Sequence, residues 1–109
     1  MMSRTVFQQG VADAVMKMAL LILRIQKRLG EDPYGPAPII CSFGMKLVDE
    51  MEACTTLAEY QTYLPRALEF FQTNLNNEFP RKEDLKRYFR EEGITWVWTS
   101  RLGVEASNV

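Results

Sequence analysis

Histidine is absent from this chain. Without it the commonest zinc ligand and the usual general base near neutral pH are missing, which excludes hydrolases and transferases of the Ser-His or Cys-His kind. Cysteine is scarce, Cys41 and Cys54 being the only two. On one helix they would stand about 20 Å apart at about 1.5 Å per residue, beyond disulfide reach. Two unpaired thiols fit a reduced compartment, and the expected location is cytoplasmic. Long hydrophobic runs are also missing: the stretch Met18 to Leu23 is bracketed by Lys17 and Arg24. It is too short for a membrane span and has the wrong flanks for a signal peptide, so no membrane association is expected. The glycines Gly10, Gly30, Gly35, Gly44, Gly93 and Gly103 are scattered singly, with no phosphate-cradling loop among them. No nucleotide cofactor is expected, nor any other.

What is present is the make-up of one ordinary soluble domain: 109 residues, 47% hydrophobic and 25% charged, with a net charge of −1. A chain of this size buries about 60–70% of its unfolded surface, enough for a core without disulfides or a structural metal. No repeat, low-complexity tract or long linker divides it. The expectation is a single all-helical domain over residues 1–109, with a short frayed tail after about 104.

A first helix, capped by Ser3 or Thr5, should run to Leu29, where Gly30 and Pro33 stop it. Val11, Val15, Met18, Ile22, Ile25 and Leu29 recur at spacings of four and three and share one face. Beside them runs a second apolar stripe, Ala12, Met16, Ala19 and Leu23. A helix of about 25 residues is about 37 Å long and matches or exceeds the width of a domain this size. With two apolar stripes to cover, it is expected to pair with its copy. The first stripe, Val11 to Leu29, is the predicted homodimer seam.

The proline- and glycine-rich stretch from Gly30 to Pro38 reads as a loop. Ile40, Phe43, Leu47, Met51 and Cys54 then fall at helical spacing and predict a second helix from about Ile39 to Ala53, with Gly44 a weak point worth about 1 kcal/mol relative to Ala. Thr56 stands three residues before Glu59 in a capping-box arrangement and should open a third helix. The apolar set of that helix keeps phase across Pro65, which predicts one kinked helix or two stacked in register. Pro80 suits the first turn of a fourth helix, and Gly93 followed by Ile94 reads as its Schellman stop against Phe89. Residues 94–102 fit either a two-turn helix framed by Thr95 and Gly103 or a strand facing with Ile94, Trp96 and Trp98. The helix is preferred because a lone strand has no partner in this chain. The methionines Met2, Met16, Met18, Met45 and Met51 read as fillers of the core.

Charge is unevenly spread, with a basic first helix and an acidic middle from Glu31 to Glu78. Asp49 and Glu52 lie three apart on one helical face. They could share a divalent cation, but hard-cation sites need more oxygen ligands, so no metal is predicted. They are instead placed with Trp96, Trp98 and Arg101 as the surface for a protein partner, since Trp and Arg are the types most enriched at binding hot spots and single-sign patches steer association.

Residues 81–102 resemble a helix-turn-helix, with Gly93 at the turn and Ser100-Arg101 near the end of the second helix. Phe89 stands where a small residue is usual and Glu92 where an apolar one is. Trp96, Val97 and Trp98 would also occupy the face that reads base edges. The function expected is therefore a small non-enzymatic interaction module, an adaptor, inhibitor or regulator, acting as a homodimer on a larger protein. The alternatives are a nucleic-acid-binding regulator built on the C-terminal helix pair and a carboxylate-dependent enzyme or metal binder.

Overall fold

A computed structural model of the chain describes residues 6–30 and 32–94. Within them are four helices and no strand: α1 (Val6–Leu29), α2 (Ala37–Glu52), α3 (Leu57–Asn74) and α4 (Lys82–Glu91). Ser3 and Thr5, Trp96, Trp98, Arg101 and the tail after 104 lie outside the described residues.

α1 packs most extensively on α2. Cys41 of α2 lies beside Ile22, its Sγ 4.0 Å from the Ile22 carbonyl. Glu52 and Cys54, at the other end of α2, share a cleft with Gln8 and Val11. The two helices are therefore antiparallel. α3 packs beside α1 on the same inner face of α2, and the ring centroids of Phe43 and Phe70 come within 5.8 Å. Gly44 makes this three-way junction possible: a Cβ on it would stand 2.7 Å from Phe70 Cζ and 3.2 Å from Ile22 Cδ1. The suspected weak point is a place where the neighbours of α2 leave no room for a Cβ.

Helix ends follow local chemistry, with small shifts from expectation. α2 starts at Ala37, earlier than Ile39, because Pro38 falls in the first turn, where its missing N–H costs nothing. Thr56 caps α3 as expected, its Oγ1 accepting from the Glu59 N–H at 3.2 Å. The Glu59 carboxylate, however, takes the hydroxyls of Thr55 and Thr56. α3 continues without a break across Pro65, whose ring lies on the solvent side. α4 begins at Lys82, after the expected Pro80, since the Asp84 carboxylate accepts from the Arg81 N–H at 3.1 Å and makes Arg81 the cap. Its end is a Schellman turn: Gly93 has φ 84°, Ile94 N–H donates to the Phe89 carbonyl at 2.8 Å, and Gly93 N–H donates to that of Arg90 at 3.0 Å.

The buried side chains of all four helices form one cluster. In it lies the stripe expected at a dimer seam: Val11, Val15, Met18, Ile22 and Ile25 are 0–8% exposed, and Leu29 is packed against them half-buried. The chain covers this stripe itself, because the loop after Gly30 turns α2 back along it. A second copy has no access to these residues in the folded chain. Met18 and Met51 fill the core as expected, but Met16 and Met45 are exposed.

Cross-links from α1 hold the rim. Lys17 Nζ meets Glu92 at 3.1 Å, and Arg24 Nη1 meets Glu78 at 3.0 Å. Arg24 also lies over the Tyr88 ring, 5.7 Å from its centroid. Arg28 donates to the Asn74 carbonyl at the C-terminal end of α3, where the helix dipole favours a cation. Part of the basic surplus of α1 is thus spent inside the molecule.

Candidate interaction surface

α1 carries a second apolar face opposite the buried one. Met16, Leu20 and Leu23 are spaced by four and three, so they line one side of the helix, and they are 56%, 47% and 58% exposed. Ala12 and Ala19 border them, half-buried. This is the second stripe of the sequence with Leu20 added, a residue whose own spacing from Met16 and Leu23 would have identified it. Single exposed apolar side chains are ordinary, but three on successive turns make a ridge of the kind that marks an interface.

The ridge has charged ends. Asp13 stands one turn before Met16, and Lys27 one turn after Leu23, on the same face. Asp13 accepts a hydrogen bond from Gln9 Nε2 at 3.0 Å. Among the described residues neither Asp13 nor Lys27 has an ion-pair partner within 4.0 Å, whereas Lys17 and Arg24, off to the side, are paired.

A further apolar surface lies on α2. Ile39 and Phe43, one turn apart, are 77% and 61% exposed, with the Phe43 ring resting against Phe70. Tyr34, in the preceding loop, is also exposed, its N–H bonded to the Asp32 carboxylate at 2.9 Å. Asp49 and Glu52 are exposed farther along α2, and Glu50 is half-buried. Among the described residues no group of three or more His, Cys, Asp or Glu is gathered for a metal ion. The relation of Asp49 and Glu52 to Trp96, Trp98 and Arg101 lies outside the described residues.

Burial shifts the thiols and the buried phenol upward. Burial pushes the Cys41 thiol up, and burial with the Glu59 and Glu50 carboxylates does the same to Cys54. Both thiols are free and are held in the protonated, less nucleophilic form. The phenol of Tyr60 is pushed well above its ordinary value by burial. Asp84 moves the other way: the hydrogen bond from the Arg81 side chain, aided by the Arg81 N–H and the nearby Arg87, holds its carboxyl below the usual range. That shift belongs to the cap of α4.

The fold defines a small all-α protein with four described helices around a common core. No protein-family model matches the chain, and no curated protein or solved structure is significantly similar to it. No helix among the described residues is long and apolar enough to cross a membrane.

Proposed function

We propose that the chain is a small non-enzymatic protein–protein interaction module, an adaptor, inhibitor or regulator of the reduced cytoplasm, that works as a homodimer. The observation that carries this reading is the exposed ridge Met16, Leu20 and Leu23 on α1, directly opposite a face already satisfied by the chain's own core. A second copy covers the ridge, and the exposed Ile39 and Phe43 then remain on α2 for a larger protein. Asp49, Glu52, Trp96, Trp98 and Arg101, the partner-binding residues expected from the sequence, remain proposed contacts of the larger protein, with no place assigned to them relative to Ile39 and Phe43. Nucleic acid fits less well as a partner, since Arg81 and Arg87 are held by Asp84, and Lys86 by Glu83, within α4 itself.

A seam made by one helix lies at the small end of specific interfaces, so the dimer should be of the micromolar kind. Light scattering on the eluting peak of a sizing column, loaded at about 10 and about 300 µM (the range such an interface implies), tests the reading. The expected mass rises toward two chains with concentration. A single-chain mass at both loadings ends the dimer reading.

A further inference from the structure

The ridge has a built-in sense of direction. Asp13, Met16, Leu20, Leu23 and Lys27 follow one another at spacings of three and four, the pattern that lays one helix along another. Its two ends carry opposite charge, and neither charge has an ionic partner among the described residues of its own chain. Asp13 and Lys27 lie seven residues to either side of Leu20, about 10 Å each way along the helix axis at 1.5 Å per residue.

We infer that two copies of the chain meet through α1 in antiparallel register, with the twofold axis beside Leu20, so that Asp13 of each faces Lys27 of the partner subunit. The inference rests on the dimer reading above and adds the geometry. Placing the axis at Leu20 packs Leu20 on its symmetry mate and brings Met16 against Leu23 of the partner subunit, within one residue of level. The same operation superimposes the charged ends with opposite sign, twice, because a twofold interface repeats every contact. A parallel pair would do the reverse: aspartate would face aspartate and lysine would face lysine at the edge of an apolar seam, where like charges are costly. The small side chains of Ala12 and Ala19, on the border toward α2, leave room for the second helix.

The full chain, its Asp13→Lys and Lys27→Asp variants, and the double variant decide the matter by sedimentation velocity over about 1–300 µM, the range expected of so small a seam. Lys27 is exposed and Asp13 half-buried at the rim, where it takes only the Gln9 amide, so circular dichroism should show unchanged helix in all four proteins. Each single variant should weaken the dimer by about tenfold or more, because it replaces two attractions by two repulsions. The double variant, with the charges exchanged, should recover the wild-type dissociation constant within about threefold. Single variants that dimerise like wild type, as a parallel pair would, overturn the register and leave the dimer standing. A double variant no better than the singles overturns it equally. Wild-type protein monomeric at every concentration overturns the dimer reading itself, and the register falls with it.

Discussion

Replacing Gly44 by alanine sets two known effects against each other at one position. In an exposed helix the change would stabilise by about 1 kcal/mol, because glycine is the poorer helix former. Here the added methyl would sit 2.7–2.8 Å from the tip of the Phe70 ring and 3.2 Å from Ile22 Cδ1, both well inside contact distance. Phe70 is itself 8% exposed and packed, its ring centroid 5.8 Å from that of Phe43 and 5.1 Å from that of Phe71, so moving it disturbs further rings. Overpacking of a tight core typically costs about 1–3 kcal/mol. The net should therefore be a loss of about 1 kcal/mol, seen as a melting temperature about 4–8 °C lower for a domain of this size. Urea and thermal denaturation of Gly44→Ala, Phe70→Leu and the double variant complete a cycle. In the Phe70→Leu background the alanine should cost less by at least about 0.5 kcal/mol, since the ring that opposes it is gone. If Gly44→Ala alone raises the melting temperature, α2 does not need the close approach, and the account of the three-helix junction is refuted.

Two further predictions concern titration. Asp84 has its pKa depressed in the folded chain by the Arg81 side chain, so its contribution is present above the ordinary carboxylate range and is lost as pH falls through the lowered value. Asp84→Asn should thus be less stable than wild type at pH 7, and in urea melts the gap should narrow as the pH is taken below the ordinary aspartate range and the carboxylate is protonated; a gap that stays constant as the pH falls would show that the cap does not depend on the charge. For the thiols, burial raises both Cys41 and Cys54. Iodoacetamide at pH 8 should therefore modify the native chain far more slowly than the urea-unfolded chain, and equal rates would contradict the burial.

Much of this fold is legible in the sequence because helices announce their ends chemically. Thr56 with Glu59, and Gly93 with Ile94, signal a start and a stop through backbone groups that must be satisfied whatever the tertiary contacts. Pro38 and Pro80 were harder to place, since a proline can stand in the first turn or just before the cap, and only the Asp84 bond to the Arg81 backbone decides for α4. The two apolar stripes of α1 are also plain in the spacing. Which one faces inward is not, because periodicity reports faces and not their partners. The decision comes from α2, which is turned back by the loop after Gly30 and settles with Gly44 and Cys41 against Ile22. The stripe ending in Leu29 was consumed by that contact, and the one through Met16 and Leu23 was left outside. The surface drawn around Asp49, Glu52 and the tryptophans rests on composition alone, whereas Ile39 and Phe43 stand four apart, a spacing that puts them on one face of α2 but does not say that this face stays exposed.

If α1 turns one apolar face to its own core and, as proposed, the other to a second copy, two substitutions two residues apart separate the faces. Ile22→Glu buries an unpaired carboxylate where the wild-type side chain is 3% exposed, a cost of several kcal/mol that should unfold or precipitate the chain. Leu20→Glu places the same carboxylate on the ridge, where it should leave the melting temperature of the separated chain nearly unchanged and abolish dimerisation. Sedimentation velocity at about 100 µM, near the top of the range such an interface implies, beside the circular dichroism spectrum of the same samples, is the measurement. Leu20→Glu should give a folded monomer, wild type a dimer and Ile22→Glu no folded species. A folded dimer for Leu20→Glu would contradict the proposed seam.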